Sequence, residues 1–133
     1  MQFNRLLPEL SVEDINKTKA FYIDLLGFKL EYERPENKFM FLSFEGSQLM
    51  FEEIHSDGWN TANFEYPLGR GINFSIETDN IDEIYQKLLD VDYPLYRPMM
   101  TSQYRMNDEW LVQKQFLVQD PDGYLLRFNQ EQL

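Results

Sequence analysis

The side chains equipped for chemistry in this chain are few and mostly of one kind. One histidine, His55, and no cysteine stand beside 23 Asp and Glu residues. Without thiols there are no disulfides, thiolate nucleophiles or Cys-rich zinc sites. A lone histidine excludes every multi-His metal motif, and it would have to serve any Ser-His-Asp scheme alone, so no such triad assembles. What the carboxylates offer is field. With 12 Lys and Arg the net charge is −11, which repels phosphate backbones and attracts cations. A cationic small molecule is therefore the expected partner, and nucleic acid is not.

Aromatic residues are the second resource, at 16% of the chain. Trp59, Tyr104 and Trp110 sit among polar residues, Asp57-Gly58 and Arg105-Met106-Asn107-Asp108-Glu109. Aromatic faces beside carboxylates hold flat or cationic ligands by stacking and cation–π attraction. Trp110 suits a dimer contact equally well. Glu52 and Glu53 are consecutive, so on a strand they face opposite ways. His55 adjoins a predicted loop and reads as a solvated residue there. Gly69-Arg70-Gly71 resembles a phosphate loop superficially, but it precedes a strand rather than a helix and reads as a turn.

Two segments carry helical periodicity. Ile15, Thr18, Phe21, Tyr22, Leu25 and Leu26 share a face, with Asp14 placed to cap the start and Gly27 to end it. Ile81, Ile84, Tyr85, Leu88 and Leu89 share another, where Asn80 and Glu83 resemble a capping box. Strands are predicted over 6–12, 28–34, 38–44, 48–54, 71–77, 93–97, 103–106, 111–119 and 124–130. Asp120-Pro121-Asp122-Gly123 suits a type I turn before the last strand.

The order strand, helix, meander occurs twice, which predicts a repeat. Leu10-Ser11-Val12-Glu13 answers to Phe74-Ser75-Ile76-Glu77, each just before its helix. The expected class is α+β: a single domain over 1–133 made of two βαβββ modules, 1–54 and 70–133, joined by a linker over 55–69. The modules would form a curved mixed sheet around a groove, with the helices on its outer face. The linker is aromatic enough that part of it is expected to pack over something. No apolar run is long enough for a signal peptide or a membrane span, so a cytoplasmic location away from membranes is expected.

Val12-Glu13-Asp14, Ala20-Phe21-Tyr22, Leu25-Leu26-Gly27-Phe28, Gly71-Ile72-Asn73-Phe74-Ser75-Ile76 and the stretch from Phe116 to Phe128 resemble the vicinal oxygen chelate superfamily. That superfamily includes glyoxalases, extradiol dioxygenases and bleomycin-resistance proteins. The Glu109-Trp110 pair and the tail Leu126-Arg127-Phe128-Asn129-Gln130 are most similar to the bleomycin-resistance type. Where the metal enzymes of the superfamily carry ligands, the resemblance implies Leu7, a position near Glu52, Gly71 and Arg127. Three of these offer no usable donor, so no metal and no cofactor are expected. Glu52 matches a cavity-facing position, its alternative being a salt bridge to Arg127. The resemblance thus implies a non-catalytic protein, dimeric with clefts at the subunit interface, that sequesters a cationic, bleomycin-like ligand and keeps it from DNA. The expected ligand-binding residues are Glu52, Trp59, Asn73, Tyr104, Trp110 and Arg127. The rival expectations are a metal-independent isomerase or lyase and a metabolite-binding accessory protein.

Overall fold

In the computed structural model, residues 1–132 are described. The chain divides into two compact units, Met1–Leu68 and Gly69–Leu133. In the first unit, β1 (Glu9–Val12), α1 (Ile15–Lys19), β2 (Lys29–Arg34), β3 (Phe39–Phe44) and β4 (Ser47–Glu53) follow in order. The second contains β5 (Asn73–Glu77), α2 (Ile81–Asp90), β6 (Arg97–Met106), β7 (Glu109–Gln119) and β8 (Leu125–Glu131). Each unit forms a four-stranded mixed sheet, ordered β1-β4-β3-β2 and β5-β8-β7-β6. In both, the first strand pairs parallel with the last and the others pair antiparallel. The repeated order of elements is thus a repeated topology. Among the described residues no helix is long and apolar enough to cross a membrane.

Strand alternation assigns one face of each sheet to its helix. In the first unit Leu10, Val12, Met40, Leu42, Leu49 and Phe51 are buried on that face. Tyr22 meets them there, its ring 4.7 Å from that of Phe51. In the second unit Ile76, Phe116, Val118, Leu126 and Phe128 are buried, and Tyr85 of α2 packs 5.1 Å from Phe116.

The first helix is predicted as one regular α-helix, but it widens. After Lys19 it continues as a π-helical turn over Ala20–Leu25, with the Leu26 amide donating to the Phe21 carbonyl. The wider turn lets the consecutive Phe21 and Tyr22 both enter the core. Asp14 caps this helix as expected, accepting from Asn16 and Lys17. Asn80 makes no side-chain cap at α2. The first amide of α2, at Ile81, instead donates to Gln130 Oε1 on β8 at 3.1 Å. Its counterpart in the first unit, the Ile15 amide, donates to Glu53 Oε2 on β4 at 3.1 Å.

Segments 93–97 and 103–106 do not form two strands; β6 runs unbroken from Arg97 to Met106. Pro98 has no backbone N–H to give a ladder bond. Here it sits where the register shifts between Arg97 and Met100, on an edge strand that has no second neighbour to satisfy. The 120–123 turn forms as expected: the Gly123 amide donates to the Asp120 carbonyl, and Asp120 Oδ1 accepts from the Asp122 and Tyr124 amides. Gly69 must be glycine, because its φ is +72° and a Cβ would clash with the Tyr124 ring.

Candidate functional site

The face of the first sheet away from its helix holds the chemistry. The parallel register sets Glu9 beside Met50 and Ser11 beside Glu52, and the antiparallel one sets Phe39 beside Glu52. Alternation therefore puts Glu9, Ser11, Arg34, Phe39 and Glu52 on one surface. The loop after β4 folds along the rim, anchored where Ser11 Oγ donates to Asn60 Oδ1 at 3.2 Å. Together they enclose an open cleft of about 620 Å³.

Five carboxylates line this cleft (Glu9, Glu36, Glu52, Glu53 and Asp57) against two permanent cations, Arg34 and Lys38. Lys38 is already engaged, its Nζ 3.0 Å from Glu53 Oε1. Arg34 lies over the Phe39 ring, 3.9 Å from its centroid. Burial pushes the Glu9 carboxyl above the ordinary range, the nearby Glu52 charge adds to this, and Arg34 opposes it. Glu53 is held below the ordinary range, first by the Ile15 amide and then by Lys38.

His55 is no bystander here. Its Nε2 lies 2.5 Å from Glu52 Oε1, and its Nδ1 accepts from the Asp57 amide at 3.2 Å. Because Nδ1 accepts, the ring proton sits on Nε2 and is donated to Glu52. Both ring nitrogens are occupied, so the imidazole has no lone pair left with which to act as a base. Trp59 stands at the rim, 98% exposed.

Of the expected ligand residues, Glu52 and Trp59 come together in this cleft. Asn73, Tyr104 and Arg127 share the face of the second sheet away from α2, as the pairings Asn73–Leu125, Ser75–Arg127 and Tyr104–Leu111 require. There Tyr104 Oη meets Gln115 Nε2 at 2.5 Å. That bond lowers the Tyr104 phenol's pKa, with Ser102 and Arg127 contributing less. Trp110 pairs with Arg105, one residue out of step with Tyr104, and so lies on the opposite face, 63% exposed. Part of the linker packs along the cleft rim as expected, although Trp59 and Tyr66 are exposed and Phe64 keeps 37% of its surface exposed.

Sequence reasoning missed Glu9 and Arg34 as cleft residues. The alternation Glu9-Leu10-Ser11-Val12 could have found Glu9, since it puts the two polar residues on the face that Leu10 and Val12 leave.

Comparison with known proteins decides the family. Residues 2–128 match the model of the Glyoxalase/Bleomycin resistance protein/Dioxygenase superfamily. The chain belongs to this superfamily. It is 32% identical over 135 residues to a bleomycin resistance protein of Geobacillus stearothermophilus, covering 94% of this chain and 95% of that protein. The same figures hold for a bleomycin resistance protein of Staphylococcus aureus strain MRSA252. In fold, it is similar to TioX from Micromonospora sp. ML1, with a TM-score of 0.72 at 16% identity over 98% of this chain and all of that one.

At the positions where the resemblance implies ligands in the superfamily's metal enzymes, the side chains here are poor donors. Leu7 has no donor atom, Gly71 has no side chain, and Arg127 carries a permanent charge of the wrong sign. Among the described residues no group of three or more His, Cys, Asp or Glu stands where it could hold a metal ion. The side chains present do not fit a metal centre at those positions.

Proposed function

We propose that this chain binds a cationic, partly aromatic small molecule of the bleomycin type in the acidic cleft of its first unit, and holds it unchanged. The observation that carries this is the lining: five carboxylates against two cations, both of the latter already engaged, with the Trp59 indole at the rim. The volume suits a small-molecule site. The likeness to proteins named for bleomycin resistance supports the choice of ligand. Protection would follow from occupancy, with no bond made or broken. Asn73, Tyr104 and Arg127 would bind ligand on the uncovered face of the second unit's own sheet, and the exposed Trp110 would serve self-association into a homodimer.

A metal-independent acid–base enzyme is the rival, favoured by the raised Glu9 carboxyl beside Glu52. The occupied nitrogens of His55 count against it.

Titration with bleomycin tests the reading, using Trp110→Phe so that Trp59 is the reporting indole. Quenching at micromolar drug is expected, with affinity falling several-fold as the Debye length shrinks from about 30 Å at 0.01 M salt to about 8 Å at 0.15 M. Mass spectrometry should recover the drug intact. No response at high micromolar drug overturns the reading, and a chemically altered drug moves it to the enzyme.

A further inference from the structure

We propose that the outer edge of β6, over residues 101–105, is an interaction surface for the same edge of a second copy of this chain, the two strands pairing antiparallel about Gln103. This contact rests on the self-association reading of the exposed Trp110 and adds to it a surface made of backbone, within the second unit alone.

β2 and β6 each end a sheet, with β3 and β7 as their neighbours. An open edge offers its amides and carbonyls to any other chain, and folded proteins blunt it with charge, proline or a bulge. β2 is blunted in this way. Lys29, Glu31, Glu33 and Arg34 charge four of its six positions, and its register shifts between Leu30 and Tyr32. On β6 the defence stops early. Pro98 lies within the register shift, and the Met99 amide donates to Tyr85 Oη at 3.2 Å. Beyond that point Thr101-Ser102-Gln103-Tyr104-Arg105 carries one charge, and all of these but Ser102 are exposed.

The ladder fixes which groups face out. The Val112 carbonyl accepts from the Gln132 amide, on the side of β7 away from β6. Val112 is the partner of Gln103, so that pair exchanges no hydrogen bonds, and the Gln103 N–H and C=O point out of the sheet. Thr101 and Arg105, two residues to either side, point the same way. Pairing about Gln103 sets that residue against its own copy and Thr101 against the partner's Arg105, so each outward amide meets an outward carbonyl. Charge agrees with this register. It carries the hairpin turn of the second copy, with the partner's Asp108, to the level of Pro98 and Arg97, so that carboxylate meets guanidinium twice. Met106, 47% exposed, comes opposite the partner's Met100 and is covered. The added strand also steadies the hairpin beyond Gln103 and Val112, where β8 no longer flanks it and two strands alone are marginal.

Sedimentation equilibrium and hydrogen exchange test this on the full chain without ligand, at about 0.15 M salt. A concentration-dependent dimer is expected. Exchange at the Thr101, Gln103 and Arg105 amides should slow as it forms, while the Ser102 and Tyr104 amides, already bonded to β7, keep their rates. Gln103→Pro removes an outward donor, leaves the β7 ladder whole and should weaken the dimer at least about tenfold. Arg97→Asp should weaken it about fivefold to tenfold, and adding Asp108→Arg to the same chain should restore it. The charge pair alters no backbone, so it decides the matter if Gln103→Pro does not fold. Edge amides that keep their monomer rates in the dimer overturn the β6 contact. So does a dimer that Trp110→Ala dissolves while Arg97→Asp and Gln103→Pro leave it at wild-type affinity, a result under which the self-association reading stands. A monomer at every concentration overturns both. The bleomycin titration bears on the acidic cleft and on neither of these.

Discussion

His55 Nε2 lies 2.5 Å from Glu52 Oε1, and the pair is completed by the Asp57 amide donating to Nδ1. The arrangement orients a carboxylate rather than arming a base. Long-range proton–nitrogen NMR is expected to show the Nε2–H tautomer in neutral His55, and an Nδ1–H tautomer would contradict the geometry. Glu52→Gln keeps the shape but removes the charge, so it should weaken a cationic ligand about tenfold, a loss of ~1.4 kcal/mol. Unchanged affinity would show that the cleft does not bind by charge.

Glu9 makes stability and binding depend on pH in opposite senses. Burial, then the Glu52 charge, raises its carboxyl above the ordinary value of 4.5, against Arg34. A group raised on folding favours the native state below its unfolded value, and that contribution is lost as pH rises through the folded one. Glu9→Gln is therefore expected to be more stable than the wild type at pH ~7, with the gain gone below the ordinary carboxylate range. Urea unfolding at the two pH values measures this. Cation affinity of the wild type should fall as acid protonates Glu9, ahead of any loss from Glu53.

Glu53 and Gln130 perform the same task in the two units, each accepting the first amide of its helix at 3.1 Å. Replacing either with Ala leaves that amide without its partner and should cost about 0.5–2 kcal/mol, as the loss of a helix cap does. The Glu53 effect should fade in acid. Its carboxyl is held low by the Ile15 amide and Lys38, so its contribution is present above the unfolded value and lost as pH falls through the folded one. The Gln130 effect should not depend on pH. Denaturant midpoints for both variants across pH ~3–7 separate the two.

Gln115 sets the acidity of Tyr104. Its Nε2 bond favours the phenolate, with Ser102 and Arg127 helping. Gln115→Met is expected to raise the Tyr104 titration toward that of a free phenol, followed by NMR of ring-labelled tyrosine with Tyr104→Phe for assignment. A Tyr104 titration that does not move would assign the shift to Arg127 instead.

Local chemistry wrote much of this protein in a form that can be read directly. The two helices follow from apolar residues at helical spacing, the Asp120–Gly123 turn from Asp, Pro and Gly in turn positions, and the duplicated topology from the repeated order of elements. Tertiary structure decided whatever depended on partners distant along the chain. Glu9 shares a face with Glu52 and feels its charge because β1 pairs parallel with β4. Gln130 supplanted the Asn80 capping box because β8 brings an amide to the start of α2. One step of strand register moved Trp110 away from Tyr104, and the Phe3–Phe41 ring contact joins residues far apart in the chain. Hydrophobic period and turn geometry act between neighbours and survive in any reading of the chain, whereas a cleft is a relation among separate strands and exists only once they are paired.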